Sequence, residues 1–314
     1  MSEIRHDALT DRLVIVAGDR AARPETFRRT VEPPPAHPEH CPFCPGHEHE
    51  TPPEVGRLGP GTADEPGWTL RVVPNLYPIV GGSVAGAHEV IVLSPAHDRS
   101  FGALPIDAAI AVLRVLRDRA ALHLAAGLAH VVPFVNHGKA AGASIEHPHA
   151  QLVALDFVPP AVNDDLARFD RSGRDLVADS LSTARGSEFA VVDGPAPAWC
   201  TPGASEPFEV LVAHRSTRAR FDEATDAEIE VVARSAHDVL GRLATLLGDP
   251  PYNLVIHTAP PAARPGYHWY VRITPRLTVT AGFERGTGLF VNVVPPEHAA
   301  TALRETPSSE AAHS

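Results

Sequence analysis

The chain has 314 residues, with 27 Lys and Arg against 38 Asp and Glu, a net charge of −11. That acidic balance argues against a nucleic-acid binder held by counterion release, and no apolar run approaches the ~20 residues of a membrane span. A charged Met1–Asp11 segment without an apolar signal core, and the odd cysteine count of Cys41, Cys44 and Cys200, point to a reducing cytoplasm and not to a secreted disulfide framework.

Residues 1–66 are rich in Pro, Glu and His, and they read as an irregular lead-in with one short strand at Leu13–Ala17. Periodic sequence begins later. His88–Val92 is an apolar strand closed by Ser94-Pro95. Ile106–Leu124 sets Ile106, Ile110, Leu113 and Ala120 on one helical face, and Val131–Val135 is a second strand. The connection from about Asp156 to Pro207 holds a helix near Asn163–Leu176 and a strand near Phe189–Val192.

The same order then returns. Phe208–Val212 is a strand, Ile229, Val232, Ala236, Val239 and Leu243 mark an amphipathic helix, and Asn253–His257 is a strand. Glu89 and Glu209 lie 120 residues apart, as do Phe101 and Phe221. Asn136 precedes His147 by 11 residues, as His257 precedes His268. A unit of strand, helix, strand, loop and strand therefore occurs twice. The loops between strands are too short for repeated parallel crossovers, so the expected class is α+β, a mostly antiparallel sheet with packed helices. The expected division is 1–180 and 181–304 for the two repeats, with a disordered tail over 305–314.

Two segments carry chemistry. Cys41-Pro42-Phe43-Cys44 points two thiolates at one centre, which suits tetrahedral Zn²⁺, with a redox pair as the competing reading. Zinc needs two more ligands, and His47, His49, His97 and His147 all offer themselves; position alone favours the local His47 and His49, and composition does not settle the choice. The second segment runs from Asn136 to Gln151. Its glycines and small residues, Gly142 among them, let a loop close around a phosphate, with a hydroxyl from Ser144 and charge from Lys139. His147 and His149, two apart on an extended stretch, share a face with Gln151. A neutral imidazole is a good phosphorus nucleophile near pH 7, and Gln151 can hydrogen-bond a phosphoryl oxygen.

This pattern resembles the active-site signature of the galactose-1-phosphate uridylyltransferase family, a branch of the histidine-triad superfamily, and the likeness runs along nearly the whole chain. Arg20-Ala-Ala-Arg23-Pro24 is similar to its nucleotide-contact segment, and Val73-Pro74-Asn75-Leu76-Tyr77-Pro78 to its nucleoside-site strand end. Ser94-Pro95-Ala96-His97 is similar to the segment that supplies the third zinc ligand. The resemblance implies duplicated histidine-triad-like units and one structural zinc per chain on Cys41, Cys44, His97 and His147. It makes His149 the nucleophile, with Gln151, Ser144 and Gly142 stabilising phosphoryl charge and Arg20, Arg23, Asn75 and Asn136 holding the nucleotide. Phe283 and Glu284 lie in a stretch similar to the hexose-contacting segment, although Thr278 stands near where some members carry a lysine. Tyr270 replaces the second histidine of a His-x-His pattern that builds a second metal site in some members, which leaves His257 and His268 as core histidines. Cys200, beside Trp199, reads as packing.

The implied activity is ping-pong nucleotidyl transfer between a nucleotide sugar and a sugar 1-phosphate, foremost UDP-glucose and galactose 1-phosphate. The alternative on the same scaffold is an adenylyltransferase or phosphorylase of ADP-sugars or dinucleoside polyphosphates. A noncatalytic zinc and nucleotide-binding protein is a third class. Gln151 stands where many histidine-triad hydrolases carry a histidine, which disfavours hydrolysis. No nucleic acid or membrane partner is expected, and a homodimer enters only through the resemblance.

Overall fold

The computed structural model describes residues 2–18, 38–262 and 266–307. The N-terminal segment is more regular than its composition suggests. Strands β1 (Glu3–Asp7) and β2 (Arg12–Val16) form an antiparallel hairpin. The third strand of that small sheet, β13 (Phe290–Asn292), pairs with β2 in parallel. Five-residue strands rich in charge give little alternation to read, and here the third strand comes from the far end of the chain.

The main sheet contains β3 (Gly56–Leu58), β4 (Leu70–Pro74), β5 (Gly86–Val92), β6 (His130–His137), β7 (His149–Leu155), β8 (Ala190–Val192), β9 (Ala198–Trp199), β10 (Val210–Val212), β11 (Tyr252–His257) and β12 (Tyr270–Pro275). Its spatial order is β3-β4-β5-β7-β6-β11-β12-β10-β9-β8, and each of these neighbouring pairs is antiparallel. The centre, β5-β7-β6 against β11-β12-β10, reads the same from either side. The two repeats thus meet at the β6–β11 pair, where Asn253 lies opposite Asn136. The sheet continues unbroken between them.

Helices α1 (Ile106–Ala125) and α4 (Asp226–Leu247), one from each repeat, cover one face of this sheet. There Ile110, Leu113, Leu116, Ile229, Val232 and Val239 pack with Ile91, Val135, Leu152, Leu254 and Ile273 in one continuous core. Strand alternation puts the complementary residues on the other face. These are His88 and Val90 on β5, His149 and Gln151 on β7, Phe134 and Asn136 on β6, Asn253 and His257 on β11, and Tyr270 and Arg272 on β12. All the strand-borne chemistry lies on that second face.

The single helix expected near Asn163–Leu176 is two helices, α2 (Pro160–Ser172) and α3 (Leu176–Ala184). Gly173, at φ 62°, ends α2 in the left-handed conformation, and the Asp175 side chain caps α3 by accepting from the Ala178 N–H at 2.9 Å. The strand expected from Phe208 starts at Val210, because Phe208 itself turns through φ 60°. Two helices near the C-terminus, α5 (Gly282–Thr287) and α6 (Pro296–Glu305), were not read from the sequence, and α6 includes Glu305 of the expected tail. Residues 308–314 lie outside the described part. Among the described residues no helix is long and apolar enough to cross a membrane.

Candidate active site

Cys41, Cys44, His97 and His147 come together from three places in the chain, their potential ligand atoms all within 4.8 Å of one another. The Cys44 Sγ is 3.3 Å from His97 Nδ1 and 3.5 Å from His147 Nδ1. His147 Nε2 donates to the Ser94 carbonyl at 2.8 Å, which leaves Nδ1 as the nitrogen with a free lone pair. Burial lowers the His147 pKa to about 4, so its imidazole is neutral, as a metal ligand must be. Burial and the neighbouring Cys41 push the Cys44 thiol up to about 11, a cost that a divalent cation removes. Two thiols and two imidazoles form a donor set that fits tetrahedral Zn²⁺.

The knuckle around the cysteines is braced by Glu48. Its carboxylate accepts from the Gly46 N–H at 2.8 Å and from Trp68 Nε1 at 2.7 Å. The local candidates drop out of the cluster: His47 turns its Nδ1 to the Cys41 carbonyl at 2.7 Å, and His49 is exposed.

His149 opens β7 immediately beyond the cluster. Its Nδ1 donates to the His147 carbonyl at 2.9 Å, so the neutral ring keeps its lone pair on Nε2. Burial lowers its pKa, with the His147 carbonyl partly opposing that shift. The Phe43 ring meets it edge-on at 5.4 Å. Two residues on, Gln151 shares its face, and its Oε1 lies 3.0 Å from His88 Nε2. The Ile79 N–H reaches His88 Nδ1 at 3.2 Å, which assigns the ring proton to Nε2 and makes His88 the donor to Gln151. Burial also lowers the His88 pKa. Gln151 is thereby fixed with its carbonyl occupied and its amide N–H₂ available, the orientation an anion requires. The sequence showed His88 only as the first residue of a strand. The β5–β7 register, with Val90 opposite Gln151, is what brings it to the site.

Asn75 joins this group. Its backbone N–H donates to the His88 carbonyl at 2.8 Å, and its Oδ1 accepts from the Tyr77 N–H at 2.8 Å. The expected phosphate loop is a tight turn. Gly138 (φ 77°) and Gly142 (φ 91°) bracket a single 3-10 turn at Lys139–Ala141. The N–H groups of Ala141, Gly142 and Ala143 bond back to Gly138 and Lys139, so they hold the loop's shape and do not face outward. Ser144 is exposed at its end. Arg20 and Arg23 lie outside the described residues. Phe283 and Glu284 sit on α5 and line a cavity of about 420 Å³ with Glu206, Thr278 and Phe290; its lining includes no residue of the His149 group. Thr278 donates to Glu206 at 2.9 Å. Cys200 is fully buried in the main core, as packing requires.

The second repeat has a different content at the matching place. His268 Nε2 donates to the His214 carbonyl at 2.9 Å, but its Nδ1 faces the Asp175 carboxylate at 3.1 Å. Tyr270 stacks on His257 at 4.6 Å with the rings 3° from parallel. Burial, then the neighbouring Arg272, takes the His257 pKa down to about 3.

A family model described as a domain of unknown function, DUF4921, matches residues 82–306. The ADP-glucose phosphorylase of Arabidopsis thaliana is 31% identical to this chain, over 96% of the chain and 92% of that protein. The galactose-1-phosphate uridylyltransferase of Thermotoga maritima is 26% identical, over 98% and 99%. The crystal structure of an Arabidopsis thaliana ADP-glucose phosphorylase with bound ADP-glucose aligns with a TM-score of 0.84 at 30% identity, covering 97% of this chain and 98% of that one.

Proposed function

We propose nucleotidyl transfer through His149 for this chain, which belongs to the galactose-1-phosphate uridylyltransferase family of the histidine-triad superfamily. The observation that carries the reading is the state of His149: its Nδ1–H is held by the His147 carbonyl and its Nε2 is left as a nucleophile, with the oriented amide of Gln151 two residues away. In the first step Nε2 attacks the α-phosphorus of a nucleotide sugar. The bond from that phosphorus to the bridging oxygen breaks, and sugar 1-phosphate leaves with the electron pair. In the second step an acceptor oxygen attacks the nucleotidyl-histidine, the N–P bond breaks, and neutral His149 returns. Gln151 and Ser144 stabilise the charge that builds on the phosphoryl oxygens.

The donor we favour is an ADP-sugar, with inorganic phosphate as acceptor, so that the products are sugar 1-phosphate and ADP. The similarity to ADP-glucose phosphorylase, in sequence and in the structure with bound ADP-glucose, supports this choice. Uridylyl transfer from UDP-glucose to galactose 1-phosphate is the second reading, supported by the full-length likeness to the Thermotoga maritima uridylyltransferase. Zinc held by Cys41, Cys44, His97 and His147 would tie the cysteine knuckle to the segment that presents His149, as a structural ion.

The test is incubation with ADP-glucose or UDP-glucose labelled at the α-phosphorus, followed by chase with phosphate or galactose 1-phosphate. We expect acid-labile, base-stable label on His149, loaded faster from ADP-glucose and released as ADP by phosphate. Loading from UDP-glucose and release only by galactose 1-phosphate selects the second reading. Label on any other residue overturns both.

A further inference from the structure

The loop that ends at His149 is held by a residue of the other repeat. Asn253 stands on β11, directly across from Asn136 on β6. Its side-chain nitrogen has two hydrogens and both are used. One goes to Asn136 Oδ1 at 2.9 Å and the other to the Ala141 carbonyl at 2.8 Å. With Oδ1 occupied, the Asn136 amide can turn only its N–H₂ group towards the loop. A Cβ placed on Gly142 would meet Asn136 Nδ2 at 3.7 Å, so that donor borders the space beside the left-handed glycine. The second bond fixes the Ala141 carbonyl at the turn, whose own N–H groups are already spent internally.

Asn253 has no equivalent by internal symmetry. The place that matches Asn136 in the second repeat is His257, and the place that matches Asn253 in the first is Val132. The bond cannot form there, because the valine side chain has no polar atom. The contact runs one way, from the second repeat to the first.

We propose that Asn253 is a positioning residue for nucleotidyl transfer, one that sets the phosphate-facing amide of Asn136 and the shape of the Gly138–Gly142 turn. The inference rests on the His149 reading above. Asn253 would touch no reacting atom. It would act through Asn136 and the turn, and so it belongs to the acceleration that comes from donors fixed in advance of the charge they meet.

The decisive variants are Asn253→Leu, of similar size but without donors, and Asn253→Asp, which keeps the shape but offers no N–H to either acceptor. Thr274→Val, opposite Asn253 on β12, is the control for disturbance of the sheet. Two measurements are made on the full chain: loading of label onto His149, and hydrogen exchange of individual backbone amides. Both Asn253 variants are expected to slow loading by about 10- to 100-fold, chiefly in the rate at saturating donor. They should also speed exchange at Gly142 and Ala143 several-fold, while β6 and β11 keep their protection. In an Asn136→Ala background, Asn253→Leu should cost distinctly less than it does alone, because the two act through one amide.

Unchanged exchange at Gly142 and Ala143 overturns the inference whatever the activity. So does a loading defect that simply adds to that of Asn136→Ala, or a loosened turn with unimpaired loading. If the unmodified chain takes no label on His149, the nucleotidyl-transfer reading fails. If it takes label and the variants match it in loading and exchange, only the role of Asn253 fails.

Discussion

His147 and His268 make the same bond in the two repeats. Each donates its Nε2 proton to a backbone carbonyl, Ser94 in the first and His214 in the second, at 2.8 and 2.9 Å. The other nitrogen meets opposite surroundings. In the first repeat it faces Cys44, and in the second it faces Asp175, the capping residue of α3. Two residues further on, the first repeat has His149 and the second has Tyr270, stacked on His257. A duplicated frame thus supplies the same anchor twice. The chemistry depends on which loop reaches the anchor, a cysteine knuckle in one half and a helix cap in the other.

The largest test of this contrast is to exchange weight between matching positions. His149→Gly is expected to lower nucleotidyl loading by on the order of 10⁴-fold while metal content and folding are kept. Tyr270→Phe should leave loading near its original rate. A comparable loss in Tyr270→Phe would mean that the second repeat also contributes reacting groups, and the contrast would break.

Next in size is the contrast between metal cluster and ion pair. The Cys41→Ser, Cys44→Ser double variant should lose the metal, about one zinc per chain in the original protein, and much of its thermal stability with it. Asp175→Ala removes the His268 partner and the α3 cap, and should cost about 1–3 kcal/mol in denaturant unfolding with metal content unchanged. Full zinc in the cysteine variant, measured by elemental analysis, would contradict the cluster's proposed role.

A smaller effect sharpens the account of the site. Gln151→Ala should retain slow turnover, raising the barrier by about 2–4 kcal/mol. His88→Ala should reproduce part of that loss, because it frees the Gln151 amide to rotate. In the Gln151→Ala background it should cost little more, and full additivity in single-turnover rates would show that His88 acts otherwise.

The smallest effect concerns the helices. Helix α4 starts with a reciprocal cap between Thr225 and Glu228, whereas α1 starts at Pro105 without a side-chain cap. Burial alone would raise the Glu228 pKa, but hydrogen bonds from Ser216, Thr225 and Arg218 outweigh it and hold the pKa at about 2. A lowered carboxylate pKa means stability that is fully present above the unfolded value near 4.5 and is lost as pH falls through about 2. Glu228→Gln should therefore melt a few degrees lower at pH 7, and its difference from the original chain should shrink between pH 4.5 and 2. A pH-independent difference in melting temperature would assign the effect to packing.

Local order in the sequence was enough for much of this. The repeat was legible because Glu89 and Glu209, and the helical faces of α1 and α4, recur at fixed spacing. The antiparallel class followed from loops too short to cross over. His149 and Gln151 could be placed on one face because side chains alternate along any strand. The division of α2 from α3 was not read from the sequence, although Gly173 and Asp175 carry it as a left-handed stop followed by a cap. What the sequence left open were matters of distance in space. Position favoured His47 and His49 as ligands beside the cysteines, and only folding swung His47 onto the Cys41 carbonyl and brought His97 and His147 to the thiols. The β1–β2–β13 sheet, the Gln151–His88 bond and the grip of Asn253 on Asn136 were equally invisible. Each depends on strand register between segments far apart in the chain, and register is set by the packing of the whole sheet against its helices, which no local pattern records.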